Sequence, residues 1–524
     1  MWGTLPDVLD RACTYYRDST AIIDGDRSLT YAQMRELRDR TAQALVSLGV
    51  QKGERVGLLL SNCLEFIPAQ HAIWAAGAVL VQMPTRNAAA GFRANLLSTD
   101  ATTLVYESTF DAAVAEIRTD LPKLQNVIRI SRDGSSAPAD VGMVHDFAEL
   151  VQAQPAVRPD IDLTIDDEAY VLFTSGSTGE PKGVVNSHFT WSHYSITAGL
   201  DIGDIAPGEV FAHGAPMTHF TQIFVMPTFL RGGTNVMLPG LDVDRLLTEI
   251  EHKKVTATAV VPTIIYLLLD HPDRSSHDLS SLRTMIYAGA PIAPERLRAA
   301  LDVFGPIFVQ TYAGTEPGYV SCLRKVDHSV EDEAAIARLA SAGRPLFNVD
   351  VEIRDPDGHA LGTGEIGEIA SRQLGQMMTY LDPSRNSEAL QDGWVLTGDI
   401  GRVDEDGFLY LVDRKKDMLV SGGFNVFPRQ VEDVLVTHPD VAQVAVFGIP
   451  DPKWGEAVHA VIVSRSGAPI DETELKELVK SRLGGVHAPK SYDFVESLPV
   501  NPAGKIDKKS LRNPFWRDRD RRIG

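Results

Sequence analysis

Amphipathic segments alternate with short apolar runs along most of the chain. Segment 29–49, LTYAQMRELRDRTAQALVSLG, carries apolar residues on one face and starts with Thr30 and Gln33, which can form a capping box, so it predicts a helix. The run RVGLLL at 55–60 then predicts a buried strand. Short apolar strands separated by amphipathic helices predict parallel sheets covered on both faces. The same order recurs at helix 243–253 with strand 255–261, and at helix 294–303 with strand 306–312.

The pattern changes near residue 400. An Asp-Gly pair at 406–407 lies between apolar stretches and predicts a hairpin turn. A charged run at 413–417 follows and is the predicted linker. We therefore predict a large N-terminal α/β domain, 1–412, and a small α+β C-terminal domain, 413–524, joined by a hinge. The elements predicted for the small domain are helix 428–437, strands 441–449 and 457–464, and helix 472–483.

Composition narrows the class of protein. The 524 residues are 44% hydrophobic and 23% charged, which is typical of a globular protein with more than one domain. The net charge of −20 argues against nucleic acid as the main partner, because phosphate backbones attract basic surfaces. The three cysteines form no metal-binding pattern, and this fits a reducing compartment.

No targeting or membrane segment is predicted. The first residues, MWGTLPDVLDRACTYY, carry early charges and lack the apolar core of a signal peptide. The most apolar long stretch, FIPAQHAIWAAGAVLVQM at 66–83, contains Pro68, Gln70 and His71. It predicts a buried helix followed by a strand rather than a membrane span. We expect a soluble, cytoplasmic protein.

A loop rich in glycine and hydroxyl residues follows one predicted strand. The stretch VLFTSGSTGEPKGV, 171–184, combines three glycines, two serines and two threonines with one lysine, Lys182. Short donors around one cation suit phosphate oxygens. The spacing differs from the P-loop pattern, because Lys182 follows a proline and precedes a glycine. The stretch predicts an anion-holding loop of another kind.

Three further polar stretches have ordinary explanations when each is taken alone. Glu316 ends QTYAGTE, 310–316, and could be a carboxylate near a helix N-terminus. TGD, 397–399, is typical of a turn. Lys505 in NPAGKIDKKSLR, 501–512, could be a solvated surface lysine. Each stretch alone does not distinguish these explanations from a shared site, but the order of all such stretches along the chain does.

Seven short stretches occur in an order that matches one enzyme superfamily. TSGSTGEPKG, YAGAP, QTYAGTE, TGD, DRKKD, SGGFNV and PAGKID resemble the signature series of the adenylate-forming enzymes. This superfamily includes acyl-CoA synthetases, peptide-synthetase adenylation domains and firefly luciferase. The resemblance covers nearly the whole chain. It implies activation of a carboxylic acid by ATP and Mg²⁺, in which two anions meet and their charge must be neutralised.

The resemblance also implies roles for individual residues. Lys505 would stabilise charge between the acid and the α-phosphate, and Glu316 and Thr178 would hold Mg²⁺. The implied catalytic residues are Lys505, Glu316, Thr178 and Lys182. The implied ATP or AMP contacts are Thr174, Ser175, Gly176, Ser177, Thr178, Gly179, Lys182, Gly289, Ala290, Pro291, Tyr312, Ala313, Gly314, Thr315, Asp399 and Arg414. In this set Tyr312 would stack on adenine, and Asp399 would accept the ribose hydroxyls.

The stretch SGGFNVFPRQVE, 421–432, resembles the segment that lines a pantetheine tunnel in acyl-CoA synthetases once the small domain has swung. Glycines suit a passage that a thiol arm must enter. Phe424 stands where the family commonly has Glu, and Arg429-Gln430 follow the proline, so fine contacts with CoA do not carry over. The implied tunnel residues are Ser421, Gly422, Gly423 and Phe424, and the implied hinge residue is Lys416.

The segment PMTHFTQ, 216–222, bears on the acid. Peptide-synthetase domains carry an Asp there to pair an ammonium, but here the pair is His219-Phe220, so an amino acid is not expected. His219 either lines the path between ATP and acid or is a structural histidine. Ala313 stands where the family prefers Gly. The implied acid-binding residues, which could equally be core, are His219, Phe220, Ile223, Phe224, Met226, Ala288 and Ala313.

We therefore predict an ATP-dependent carboxylic acid–CoA ligase for a fatty or aryl acid. One alternative is an adenylating enzyme that passes its acyl group to a carrier protein or another acceptor. A second is a non-catalytic AMP or acyl binder, against which the set Lys182, Glu316, Asp399 and Lys505 argues. The expected partners are small molecules: the acid, ATP and CoA. The sequence leaves a homodimer open.

Overall fold

Four sheets carry the fold in the computed structural model, which describes residues 3–175, 181–201, 208–218, 220–240, 242–290, 292, 294–500 and 506–516. Sheets of nine, eight and five strands belong to the part before residue 415, and a second five-stranded sheet lies beyond it. The predicted α/β class with a separate α+β C-terminal domain is confirmed. The domain boundary between residues 412 and 413 stays a prediction.

The helices alternate with strands as predicted. Within the described residues, the α-helices are α1 (Leu5–Tyr15), α2 (Tyr31–Ser47), α3 (Phe66–Ala75), α4 (Ala89–Ser98), α5 (Asp111–Ile117), α6 (Phe147–Gln152), α7 (His188–Asp201), α8 (Val225–Leu230), α9 (Val243–Lys253), α10 (Pro262–Asp270), α11 (Pro294–Phe304), α12 (Glu333–Arg338), α13 (Pro428–Leu435), α14 (Glu472–Leu483) and α15 (Lys508–Trp516).

The strands, again within the described residues, are β1 (Thr20–Asp24), β2 (Arg27–Thr30), β3 (Arg55–Leu59), β4 (Val79–Gln82), β5 (Thr103–Glu107), β6 (Asn126–Ile130), β7 (His145–Asp146), β8 (Glu168–Ser175), β9 (Pro181–Ser187), β10 (Val210–His213), β11 (Thr234–Met237), β12 (Ala257–Val260), β13 (Thr284–Tyr287), β14 (Phe308–Gly314), β15 (Gly318–Leu323), β16 (Arg344–Pro345), β17 (Asp350–Arg354), β18 (Gly367–Arg372), β19 (Thr379–Tyr380), β20 (Leu390–Gln391), β21 (Trp394–Val403), β22 (Leu409–Arg414), β23 (Leu419–Ser421), β24 (Phe424–Val426), β25 (Val441–Asp451), β26 (Gly455–Ser464) and β27 (Ser491–Phe494).

Local signals at the N-terminus are confirmed. The Thr30 hydroxyl accepts the backbone N–H of Gln33, and the Gln33 side chain accepts that of Thr30, so the capping box of α2 is complete. The apolar stretch 66–83 forms the fully buried helix α3 and then strand β4. Burial inside the domain, and not a membrane, therefore explains its hydrophobicity.

The two large sheets are parallel at their centres and antiparallel at their margins. In the nine-stranded sheet, β14, β13, β12, β10, β11 and β1 are parallel neighbours, whereas β2, β15 and β16 pair antiparallel. In the eight-stranded sheet, β8 is parallel to β4 but antiparallel to β9. The carboxyl ends of parallel strands share one edge, where open α/β sheets bind ligands.

The structure excludes two of the ordinary explanations that the polar stretches have when each is taken alone. Residues 397–399 lie inside strand β21 and form no turn, although Gly398 has a φ of 72°. Glu316 is not at a helix N-terminus, since it lies in the short turn between the antiparallel strands β14 and β15. The pairing of strands therefore positions both the TGD stretch and Glu316, and the helix-cap explanation for Glu316 does not apply.

The C-terminal domain packs α13 and α14 on a sheet of β23–β27. The predicted strands and helices of this part are present, with α13 ending at Leu435. Its own core contains Leu419, Val431 and Leu475, all fully buried. The predicted hairpin at 406–407 connects β21 and β22, with Gly407 at a φ of 82°. Among the described residues, no helix combines the length and hydrophobicity needed to cross a membrane.

Candidate active site

The β8–β9 hairpin brings the two described ends of the glycine-rich stretch together. Thr174 pairs with Lys182 in the antiparallel register. The Lys182 ammonium lies 2.5 Å from Glu388 Oε2 and 5.2 Å from the centroid of the Tyr380 ring. The side chain of Lys182 is only 11% exposed, whereas that of Glu388 is 42% exposed. A mostly buried cation with one surface partner can exchange that partner for another anion.

Glu316 is the centre of a small polar cluster. Thr174 donates its hydroxyl to Glu316 Oε1 at 3.2 Å, and Tyr380 donates to the same oxygen at 3.2 Å. Burial, together with the Glu316 carboxylate, raises the pKa of Tyr380, so the phenol stays a donor. A partly buried carboxylate beside hydroxyls and the glycine-rich stretch is a hard oxygen donor, and this suits Mg²⁺ between phosphates.

A second carboxylate, Asp399 on strand β21, lies beside Tyr312 near the end of strand β14. The Tyr312 hydroxyl donates to Asp399 Oδ2 at 2.7 Å, and Arg414 Nε lies 3.4 Å from Asp399 Oδ1. Asp399 and Arg414 are direct partners across β21 and β22. Burial and the neighbouring Asp399 raise the pKa of Tyr312 well above its usual range. Two acceptor oxygens held by an aromatic hydroxyl and a guanidinium suit a diol such as ribose.

One glycine and two alanines follow strand β13 at its carboxyl end. β13 and β14 are parallel neighbours, so their carboxyl ends lie side by side. Gly289 has a φ of 85°, a conformation that favours glycine, and both Gly289 and Ala290 are exposed. Ala288 just before them is buried. The parallel register of β13 and β14 brings this turn beside the end of β14, which carries Tyr312.

The predicted acid-binding residues divide into two groups. Phe220 and Ala313 are only partly buried, and the Phe220 ring packs edge-on against Phe224 with centroids 5.3 Å apart. Phe224 stacks on Phe211 in the main core, where Ile223 and Met226 are buried as well. Phe224, Ile223 and Met226 support the core, and any contact of theirs with an acid stays a prediction.

The Gly-Gly pair forms the turn of the β23–β24 hairpin. Ser421 pairs with Phe424, and Gly422 and Gly423 between them have φ values of 59° and 85°. A two-residue hairpin turn with both φ values positive favours glycine for its own sake. A Cβ on Gly422 would lie 2.7 Å from the Trp454 ring, whereas one on Gly423 would meet nothing within 4 Å. Ser421 is buried and Phe424 is 62% exposed.

The remaining predicted site residues lie at strand ends, in connections, or outside the described part of the chain. Thr315 and Gly314 lie in and beside the β14–β15 turn, and Lys416 lies between β22 and β23. The structure does not describe the side chain of Ser175, nor any part of the following residues: Gly176, Ser177, Thr178, Gly179, His219, Pro291 and Lys505.

Sequence reasoning missed the contacts that hold the cluster together. Tyr380 and Glu388 belong to no recognisable motif, yet they bind Glu316 and Lys182, which are distant in sequence. Trp454 gives no motif signal either, although it packs on the Gly422 turn. The sequence contained one signal for this contact, a Trp-Gly pair directly before the apolar run of β26.

The two-domain fold and the polar residues at these strand ends and turns are those of an enzyme that binds a nucleotide. Models of two families match the chain: "AMP-binding enzyme" over residues 9–381 and "AMP-binding enzyme C-terminal domain" over residues 430–505. The chain belongs to the AMP-binding enzyme family, within the adenylate-forming superfamily, as its motif series predicts.

Individual relatives span nearly the whole chain. A medium/long-chain-fatty-acid–CoA ligase, FadD8 of Mycobacterium tuberculosis, is 37% identical and covers 97% of this chain and 90% of its own. A feruloyl-CoA synthase of Amycolatopsis is 34% identical, with coverages of 95% and 96%. Among solved structures, the amide bond synthetase McbA of Marinactinospora thermotolerans has a TM-score of 0.86 at 33% identity, with coverages of 97% and 100%.

Proposed function

We propose that the protein is an ATP-dependent carboxylic acid–CoA ligase for a fatty or aryl acid. The acid and ATP form acyl-AMP and pyrophosphate, and CoA then displaces AMP to give acyl-CoA. The observation that carries the proposal is a set of contacts that connects Lys182, Glu316 and Asp399, although they come from hairpins of three different sheets. Tyr380 contacts both Lys182 and Glu316, and Tyr312, on the same hairpin as Glu316, contacts Asp399. One cation and two carboxylates connected in this way suit a Mg–ATP complex.

The described residues supply binding and orientation in this proposal. Asp399 would exchange the Tyr312 hydroxyl and Arg414 for ribose hydroxyls, and Lys182 would exchange Glu388 for a phosphate oxygen. Glu316, with Thr178, would hold Mg²⁺, which when bound neutralises charge on the phosphates. Lys505 would contact both the acid and the α-phosphate, and its positive charge would stabilise the negative charge of both as the bond between carboxylate oxygen and phosphorus forms.

Features around the Gly-Gly turn support CoA as the acceptor. The Trp454 ring packs against Gly422 and is only partly buried. The ammonium groups of Lys453 and Lys490 lie 4.8 and 5.5 Å from the centroid of this ring. An aromatic face flanked by two cations suits a phosphorylated nucleotide, because it offers stacking and charge together. CoA carries such a group, whereas a simple amine acceptor does not.

The alternative acceptor is an amine or a carrier protein. The similarity to an amide bond synthetase favours considering an amine, since that enzyme also covers nearly the whole chain. A pyrophosphate-release screen over fatty and aryl acids, run without an acceptor, with CoA, and with an amine, separates the cases. We expect multiple turnovers only with CoA. Turnover with amine but not CoA would contradict the proposal.

A cytoplasmic location, suggested by three buried free cysteines, stays a prediction, and a homodimer remains open.

Replacing Glu316 with glutamine should raise the Mg²⁺ requirement. The amide side chain keeps an oxygen that can accept the hydroxyls of Thr174 and Tyr380, but it lacks the charge that a hard cation needs. We expect turnover at fixed Mg²⁺ to fall on the order of 10- to 100-fold. Titration of pyrophosphate release with Mg²⁺ measures this. The exposed Glu365→Gln is the matched control, and an unchanged Mg²⁺ profile for Glu316→Gln would return Glu316 to a structural role.

A further inference from the structure

The chain on both sides of residues 501–505, here called the lysine loop, is held by backbone contacts. Val500 and Ile506 form an antiparallel bridge. The Asp507 N–H donates to the Pro499 carbonyl at 2.8 Å. Asp507 also accepts the N–H of Ser510 at 3.2 Å, at the start of α15. The residues that flank the lysine loop are therefore fixed by a strand-like bridge, and the first turn of α15 follows directly.

That helix begins with a partly buried ion pair. Lys508 Nζ lies 2.6 Å from Glu432 Oε1 on α13, and the two side chains are 25% and 17% exposed. Glu432 Oε1 also accepts the backbone N–H of Val446 at 2.6 Å, which ties the pair to strand β25. Burial opposes the charge of Lys508, but Glu432 and then Asp413 outweigh it and raise the pKa of Lys508. Lys508 is therefore cationic at neutral pH.

Helix α13, which carries Glu432, is also connected to the predicted hinge segment. Asp413, 8% exposed, lies at the end of β22 and accepts the N–H of Arg429 at 2.9 Å, in the first turn of α13. Its other oxygen accepts the N–H of Arg414 at 2.7 Å. A carboxylate at a helix N-terminus is stabilised by the free N–H groups there. Asp413, α13, Glu432 and Lys508 thus form a continuous path from the predicted hinge to the start of α15.

We propose that Lys508 is a positioning residue for adenylation, which holds the start of α15, three residues after Lys505, on α13 through Glu432. The inference rests on the proposed function, in which Lys505 acts on the α-phosphate. Lys508 itself touches no substrate. A displacement of about 1 Å at a reacting group can lower the rate roughly 100-fold, so a clamp at the base of the loop matters to catalysis.

Lys508→Met tests this role through a kinetic split. Pyrophosphate release with the acid that performs best in the screen should show a kcat reduced roughly 10- to 100-fold, with the KM for ATP within about twofold of wild type. The proposed ATP contacts other than Arg414 lie in the predicted N-terminal domain, and Lys505 is proposed to act only in the transition state. Thioester formation from the synthetic adenylate of that acid should be unchanged. Lys509→Met, at the neighbouring exposed position, should behave as wild type in both assays.

A second variant guards against misfolding. Lys508→Met leaves Glu432 buried without its partner, so the double variant Lys508→Met/Glu432→Gln removes the unpaired charge. We expect thermal stability to recover while adenylation stays slow. The proposal is overturned if adenylation recovers with stability, if kcat is unchanged, or if both half-reactions fall equally. A wild-type protein that releases no pyrophosphate with any acid contradicts the proposed function itself and overturns both.

Discussion

Lys505→Ala should lose acyl-adenylate formation and keep thioester formation from supplied acyl-AMP. The lysine supplies positive charge only while the acid attacks the α-phosphate, so its removal acts on one half-reaction. We expect acid-dependent exchange of pyrophosphate into ATP to fall roughly 100-fold or more, in the range seen when one stabilising donor of a transition state is lost.

The measurement compares exchange with the acyl-CoA yield from synthetic acyl-adenylate, using the same variant preparation. Lys509→Ala provides a control four residues away, on an exposed side chain. Adenylation at a near wild-type rate would mean that Lys505 is a surface lysine. An equal loss in both assays would point instead to a damaged C-terminal domain.

Gly423→Leu should produce the opposite split. A Cβ at this position meets nothing within 4 Å, so the side chain extends into the open space beside the Gly-Gly turn, where a pantetheine arm would pass. We expect acyl-CoA formation to fall roughly tenfold or more, because a leucine side chain that occupies the space the arm needs costs ~1–3 kcal/mol. Pyrophosphate exchange with acid should stay within about twofold of wild type.

The backbone at Gly423 needs its own control. Its φ of 85° strains any other residue, so part of the effect could come from the turn itself. Gly467→Leu, at a φ of 74° and also with open space around its Cβ, carries the same kind of strain in the same domain. Lys416→Pro should reproduce the split by fixing φ at the predicted hinge. Normal acyl-CoA formation by Gly423→Leu would contradict the CoA tunnel.

The sequence allowed much of this architecture to be predicted. Periodicity located α2, α3 and the alternation of helices and strands, because core packing enforces it. The order of motifs identified the superfamily before any geometry was known. Motif-bearing residues such as Glu316 and Asp399 lie at strand ends or in strands, with polar partners beside them.

Other features depend on tertiary contacts that no local pattern contains. Tyr380 reaches Glu316 only because the short strand β19 pairs with β9. Glu388 meets Lys182 across a sequence separation of 206 residues. The TGD stretch has the composition of a turn, yet pairing with β18 and β22 extends it into a strand. In each case strand pairing, and not local propensity, decides the outcome.

In the proposed reaction the acid is activated as an acyl-adenylate and then passed to CoA. An acid labelled with oxygen-18 in both carboxylate oxygens tests it directly, with wild-type protein, ATP, Mg²⁺ and CoA. In adenylation one carboxylate oxygen bonds to the α-phosphorus, and it stays with AMP when the thiol attacks the carbonyl. Mass spectrometry should therefore find one labelled oxygen in AMP and the other in acyl-CoA. Label in inorganic phosphate together with ADP, or unlabelled AMP, would contradict the account.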